Sequence, residues 1–116
     1  MVDPRGLPAE SAVPAALLRA VVERIRPRRV ILFGSRAAGH ARPDSDWDLL
    51  VVVDDDAPRE QYDMRARYEA ERDFPDPVDI LACRESSFQD RRTIVGSLPW
   101  IAVTDGIVVY ERPDAS

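Results

Sequence analysis

The chain has 116 residues, 45% of them apolar and 32% charged, which predicts one soluble globular domain over residues 1–116. A net charge of −5 argues against a protein that clamps a long polyanion, because such proteins carry a basic face. All sixteen basic residues are arginine, which excludes a phosphate-loop lysine, a Schiff-base lysine and a lysine general base. The single cysteine, Cys83, and the lack of a signal-like or membrane-spanning apolar run favour a cytoplasmic protein without membrane contact.

The first half of the chain predicts one helix and two strands after a flexible arm over residues 1–11. Apolar residues recur at helical spacing from Leu17 to Ile25, after Pro14 in the first turn and before Pro27, which stops the run. Two apolar segments follow and predict buried strands, because each is short and bounded by turn residues. These strands cover residues 30–33 and 47–53, and a loop over residues 39–46 separates them.

The middle of the chain predicts a polar helix and a third strand. Residues 58–74 are rich in arginine and glutamate and end at Pro75, which favours a helix with a thin apolar inner stripe. The stripe consists of Tyr62, Met64 and Tyr68. Residues 78–83 are again mostly apolar and predict a strand.

The last third predicts a helix over residues 86–98, capped by Ser86 or Ser87 and interrupted by Pro99. Its expected inner face consists of Phe88, Ile94, Val95 and Leu98. Residues 100–103 fit either a helix or the first arm of a hairpin, and residues 107–110 predict a last strand after an Asp-Gly turn. The predicted fold class is therefore a mixed α/β domain with three or four strands.

Three acids interrupt these apolar strands. Alternate residues of a strand share a face, so Asp46 and Asp48 point the same way, and Asp79 interrupts the third strand similarly. If the two strands are neighbours, the three carboxylates can meet, and only a cation offsets their mutual repulsion cheaply. Ligands that are all oxygen favour Mg²⁺ or Mn²⁺ over zinc. The plainer interpretation is that each acid is a turn or capping residue, which we prefer for Asp44 and for the acidic run over residues 54–56.

The segment directly after the first strand is suited to phosphate. Gly34 lets the backbone approach an anion closely because it has no side chain. Ser35 offers a hydroxyl, and the amides of a following helical turn would face the anion. Arg36 can pair with a phosphate oxygen or with an acidic neighbour. A Gly-Ser pair alone indicates little more than a turn, but here a strand with two spaced acids follows ten residues later.

Together these motifs resemble the nucleotidyltransferases related to DNA polymerase beta, and more narrowly the minimal nucleotidyltransferases, or MntA-like proteins. The resemblance lies in residues 32–39 (LFGSRAAG), 45–49 (SDWDL) and 78–80 (VDI). It implies a small mixed sheet with helices mainly on one face. It also implies that Gly34, Ser35 and Arg36 bind the triphosphate of ATP. In the same way it makes the three acids both metal ligands and catalytic residues: Asp46, Asp48 and Asp79.

Two positions depart from the family pattern. Ala38 stands where many relatives carry a second arginine, so one phosphate or partner contact is missing. Trp47 is bulkier than the usual aliphatic residue between the two acids. Neither change removes an acid, and we expect an active site that has kept its function.

The resemblance also implies a partner. Minimal nucleotidyltransferases are typically encoded beside a HEPN ribonuclease, and the pair resembles a toxin–antitoxin system. The expected function is therefore that of an antitoxin, which transfers AMP from ATP to a tyrosine hydroxyl of the toxin. Two alternatives stay open: an antitoxin that neutralises its partner by binding alone, and an enzyme that modifies a small molecule such as an aminoglycoside.

Overall fold

The computed structural model describes residues 12–113, so the arm predicted over residues 1–11 lies outside the described residues. Within that range helices and strands alternate along the chain. The elements are α1 (Ala15–Ile25), β1 (Arg29–Phe33), α2 (Ser35–Ala38), β2 (Trp47–Val53), a 3-10 turn (Arg59–Gln61), α3 (Met64–Glu71), β3 (Val78–Arg84), α4 (Glu85–Arg91), α5 (Leu98–Asp105) and β4 (Ile107–Glu111). None of the helices in this range is long and apolar enough to cross a membrane.

The strands form one mixed sheet in the order β3-β2-β1-β4. Strand β1 runs antiparallel to both β2 and β4, whereas β2 and β3 are parallel. The parallel pair needs a long crossover connection, and the segment that contains α3 provides it. The predicted mixed α/β class is confirmed, with four strands.

Alternation along the strands divides the apolar side chains between two cores. The larger core contains Leu49, Val51 and Val53 of β2 and lies beneath α1 and α3. The smaller core contains Leu50 and Val52 and lies beneath α4 and α5. The main helical layer is therefore on one face, as predicted, and a smaller layer also covers part of the other face.

The polar helix is shorter than its predicted range of residues 58–74. It begins at Met64, because the Asp63 carboxylate accepts a hydrogen bond of 2.9 Å from the Ala66 amide and caps the helix. The predicted inner stripe is wrong for two of its three members. Met64 is 78% exposed and Tyr68 62% exposed, while Ala66 lies in the interior. Helix α3 therefore packs through small side chains.

The helix predicted over residues 86–98 ends at Arg91, and a second helix begins at Leu98. Ser97 caps the second one by accepting from the Trp100 amide at 3.2 Å, and Pro99 lies in its first turn. Proline thus begins a helix here, as its missing amide allows, where we expected it to end one. The segment between the helices leaves Ile94 and Val95 exposed, so they are not inner-face residues, whereas Phe88 is buried as predicted. Residues 100–103 are helical.

Ion pairs hold together the end of the sheet where β2 finishes. The Asp54 carboxylate accepts hydrogen bonds of 2.8 Å from both Arg112 and Arg28. These two guanidinium groups lower the pKa of Asp54 to about 2 from its usual 3.8. Arg29 pairs with Glu85 at the start of α4 in the same region. Arg28 and Arg29, which follow α1, therefore have structural roles.

We predict that Asp54 makes stability depend on acid. Because its pKa is lower in the folded chain than in the unfolded chain, its contribution is complete above about pH 4 and is lost as the pH falls toward about 2. Urea unfolding between pH 2 and pH 7 measures this. Asp54→Asn should flatten the acid side of the profile, and Asp56→Asn, at an exposed position in the same turn, should not. Equal profiles for the wild type and Asp54→Asn would contradict this role.

Candidate active site

The register of the parallel strands brings the predicted acids together. Asp48 of β2 lies directly opposite Asp79 of β3, and Phe33 at the end of β1 lies opposite Asp48 on its other side. Asp46 precedes Asp48 by two residues. Acids distant in the chain thus meet at one end of the sheet, at the end of β1 and the start of β2 and β3. This is the end opposite the ion pairs of Asp54.

The electrostatics of Asp48 reflect these neighbours. Its side chain is half-buried, whereas Asp46 and Asp79 are exposed. Burial raises the pKa of the Asp48 carboxyl, and repulsion from Asp79 and then from Asp46 raises it further. A cation at this point would lower that pKa by removing the repulsion. The carboxylates therefore form an electrostatically coupled cluster.

The donor set suits a hard divalent cation. The three groups offer only carboxylate oxygens, the ligands that Mg²⁺ and Mn²⁺ prefer. Within residues 12–113, no three Asp, Glu, His or Cys side chains are gathered closely enough to hold an ion. The three acids are neighbours at the sheet end without converging on one point, as mutual repulsion favours. To hold one ion together with Asp48, the exposed side chains of Asp46 and Asp79 would have to turn inward toward it.

Gly34 lies against the Asp48 carboxylate. A Cβ atom at this position would stand 2.2 Å from Asp48 Oδ2, so the Asp48 carboxylate would have to move to admit a side chain. The backbone φ of Gly34 is also +78°, a region that favours glycine. The sequence predicted Gly34 as a close-approach residue for phosphate. The structure adds that the same glycine makes room for the most buried acid of the cluster.

The Gly-Ser turn leads directly into the short helix α2. The amides of Ala37 and Ala38 both donate to the Gly34 carbonyl at 3.1 Å. The amides of Ser35 and Arg36 therefore precede the first intrahelical hydrogen bond, so the helix itself does not occupy them. Ser35 is partly buried beside the acid cluster. These donors directly follow Gly34, which lies against Asp48, as the phosphate hypothesis needs.

Arg36 holds the loop that carries the acids. Its guanidinium donates to the Ser45 carbonyl through Nε at 3.1 Å and through Nη2 at 2.8 Å, directly before Asp46. It also stacks over the Trp47 ring, with Cζ 4.0 Å from the ring centroid. The contacts of Arg36 with carbonyls and an aromatic ring were not predicted. They explain the bulky residue at position 47, which provides the stacking surface for Arg36.

The structure places the predicted acids and the Gly-Ser turn at one end of the sheet, and two features of this region were not predicted from the sequence. The first is the stacking of Arg36 on Trp47. The sequence could have indicated it, because an arginine and an aromatic residue flank one loop. The second is the exposure of Met64 and Tyr68 beside Asp79. Ala66, two residues after Met64, could have indicated this exposure, because an alanine on the inner face allows a helix to pack closely.

Comparison with known proteins identifies the family. Residues 15–101 match the model of the nucleotidyltransferase domain. The chain therefore belongs to the nucleotidyltransferase domain family, and the enzyme class predicted from the motifs is confirmed. Comparison with curated proteins gives no match.

Two solved structures are similar to this chain. The first is the crystal structure of a toxin–antitoxin with AMP-PNP, which is 20% identical and has a TM-score of 0.58, covering 87% of this chain and 76% of that chain. The second is a candidate nucleotidyltransferase from Sulfolobus solfataricus, 19% identical with a TM-score of 0.47, covering 89% of this chain and 94% of that chain. At such identities the first likeness speaks for the fold alone.

We predict that Gly34→Ala displaces the Asp48 carboxylate and removes metal-dependent nucleotide binding. The control is Gly39→Ala, because Gly39 has a similar φ of +80° but open space around the new methyl group. Both variants lose stability, on the order of 1 kcal/mol or more, because φ is positive at both positions.

Nucleotide binding separates the two variants when it is titrated in the presence of Mg²⁺, at a temperature where both are folded. Gly39→Ala should bind like the wild type, and Gly34→Ala should not. Unchanged binding in Gly34→Ala would contradict the close packing of residues 34 and 48.

Proposed function

We propose that this chain transfers AMP from ATP to a hydroxyl of a partner protein and thereby acts as the antitoxin of a toxin–antitoxin pair. The observation that carries the proposal is the register of Asp48 with Asp79 beside Gly34. This register puts Asp48 and Asp79 side by side next to the Gly34-Ser35 turn, which supports a nucleotidyl transfer site at this end of the sheet. Membership of the nucleotidyltransferase domain family supports the reaction class.

Mg²⁺ is the cofactor that fits the donor set, and Mn²⁺ is chemically close to it. Asp46, Asp48 and Asp79 would hold it. When bound, the ion neutralises triphosphate charge and polarises the phosphoryl group that is transferred. Burial and acidic neighbours raise the pKa of Asp48, so a neighbouring cation would stabilise the charged form of this carboxylate.

The chain's own residues supply position and charge. Gly34 lets the triphosphate approach the backbone, and Ser35 offers a hydroxyl and an amide to its oxygens. The acceptor hydroxyl attacks the α-phosphorus, the bond to the β-phosphate breaks, and pyrophosphate leaves. Asp79 is the outermost acid because it lies on edge strand β3. An acceptor can arrive from that side, and Asp79 can then take part in removing the proton of the acceptor hydroxyl. Arg36 acts as a positioning residue through the loop before Asp46.

A protein acceptor is the best-supported choice. Residues 12–113 build the sheet and its helices, and no separate acceptor-binding domain lies among them. The structure of similar fold that contains AMP-PNP is a toxin–antitoxin. We therefore infer that the acceptor surface includes a second protein, a HEPN ribonuclease toxin encoded nearby, with tyrosine as the modified residue. Such a pair acts inside the cytoplasm.

Labelled ATP tests this proposal. The chain is incubated with α-labelled ATP, Mg²⁺ and the product of the adjacent gene, and label on that protein is measured. Asp46→Asn/Asp48→Asn should reduce transfer by at least about a hundredfold, because charge stabilisation provides most of the rate. Asp44→Asn is the control, since it removes an exposed acid of the same loop and should transfer like the wild type.

The same experiment separates the alternatives. If the double variant neither labels the partner nor restores growth of cells that make it, transfer is required for antitoxin action. Full growth rescue by the double variant would contradict the proposal in favour of neutralisation by binding. Kanamycin, an aminoglycoside, is added in a parallel incubation. Label on kanamycin and none on the protein would contradict the proposal in favour of a small-molecule acceptor.

A further inference from the structure

The loop between α2 and β2 occupies the guanidinium group of Arg36. Its Nε and Nη2 atoms donate to the Ser45 carbonyl at 3.1 and 2.8 Å, and Nη2 also donates to the Pro43 carbonyl at 3.3 Å. The same group stacks on the Trp47 ring, with Cζ 4.0 Å from the ring centroid. Arg36 thus contacts the residue before Asp46 and the residue after it.

The Trp47 side chain lies on the face of the sheet opposite the Asp48 carboxylate. Successive side chains of a strand point to opposite faces, so Trp47 points away from the face of Asp48. In agreement with this, Trp47 and Ala37 both pack against the larger core. A guanidinium group that stacks on this ring therefore lies on the larger-core side of the loop. To reach a triphosphate bound at the acids, Arg36 would have to leave both the ring and the carbonyls.

The Trp47 side chain acts through the face of its ring. Its Nε1 atom is buried and has no hydrogen-bond partner within residues 12–113. A buried N–H without an acceptor lowers stability, and a leucine or phenylalanine at this position would avoid that cost. What the indole adds is the aromatic surface that attracts a guanidinium group most strongly. The stacking of Arg36 is therefore the interaction that distinguishes tryptophan from smaller apolar residues here.

Backbone hydrogen bonds hold the chain on both sides of Asp46. The Trp47 amide donates to the Pro77 carbonyl at 3.0 Å, two residues before Asp79, and so joins this loop to the start of β3. On the other side of Asp46, the Ser45 hydroxyl accepts a hydrogen bond of 2.8 Å from an amide within the loop. Arg36 spans these two points, while the Asp46 side chain itself is exposed.

We propose that Arg36 and Trp47 are positioning residues that act as one unit, hold the backbone at Asp46 and thereby set the affinity of the acid cluster for its divalent cation. This rests on the proposed function, in which Asp46 is a metal ligand. Arg36 is then not a ligand of the triphosphate, in contrast to the role that the family resemblance implies. Residues that orient a metal ligand typically change metal affinity by about ten- to a hundredfold when they are replaced.

Two binding constants separate a positioning role from phosphate binding. Binding of a non-hydrolysable ATP analogue is titrated at a series of free Mn²⁺ concentrations, at a temperature where every variant is folded. Arg36→Lys keeps the charge but loses the planar fork and the stacking surface, and Trp47→Leu removes the ring. Each should raise the Mn²⁺ concentration for half-maximal binding about tenfold. Each should leave the affinity for the analogue at saturating Mn²⁺ nearly unchanged.

A double variant and two controls complete the test. Because the two side chains act as one unit, Arg36→Lys/Trp47→Leu should raise the Mn²⁺ requirement no more than the worse single variant does. Trp47→Phe keeps a stacking ring and should need nearly the same Mn²⁺ concentration as the wild type. Arg42→Lys changes an exposed arginine of the same loop and should match the wild type in both constants.

The outcomes separate this inference from the proposed function. If the wild type binds the analogue with Mn²⁺ and Arg36→Lys has the same Mn²⁺ requirement, the positioning role is wrong and the transferase proposal stands. Weaker analogue binding by Arg36→Gln at saturating Mn²⁺, with an unchanged Mn²⁺ requirement, would assign Arg36 to the triphosphate instead. Additive effects of Arg36→Lys and Trp47→Leu would overturn the single unit. If the wild type binds no analogue at any Mn²⁺ concentration, both this inference and the proposed function fail.

Discussion

The parallel pairing of β2 with β3 is the constraint on which the proposed chemistry depends. Side chains alternate along a strand, so a slip of one residue in this register would turn Asp79 to the opposite face from Asp48. The register is fixed by the cores on both faces of β2, where every residue from Leu49 to Val53 is buried. Burial of apolar surface thus pins three repelling carboxylates at the open end of the sheet. Their mutual repulsion is a cost that the cores offset and that a cation removes.

The acids at the two ends of the sheet have different charge environments. At the end where β2 finishes, Asp54 is paired with arginines, and its charge is satisfied within the chain. At the end where β2 begins, burial and then repulsion from its acidic neighbours raise the pKa of Asp48. A charge balanced by the fold indicates stability, and a charge left unbalanced indicates a ligand. This contrast between Asp48 in β2 and Asp54 directly after β2 distinguishes the candidate site from ordinary surface acids.

Strand positions and the acid cluster were predictable because both depend on period-two patterns and on local punctuation. The packing of Gly34 against Asp48 was not, since it joins residues on different strands. The helix predicted over residues 86–98 is too long, and the start of α5 at Leu98 was not predicted, because Pro99 was expected to interrupt a helix although proline also fits a first turn. The outward turn of Met64 was missed because a pattern gives the spacing of apolar residues and not which of them meets the core.

The most direct test of the account is the position of a metal ion in the folded chain. Crystals grown with Mn²⁺ and a non-hydrolysable ATP analogue, measured at a wavelength where manganese scatters anomalously, would locate the ion. We expect the anomalous peak to mark a manganese ion that is bound by carboxylate oxygens of Asp46, Asp48 and Asp79, with the triphosphate over Gly34 and Ser35. Manganese held elsewhere, or bound with the Asp79 side chain turned away, would contradict it.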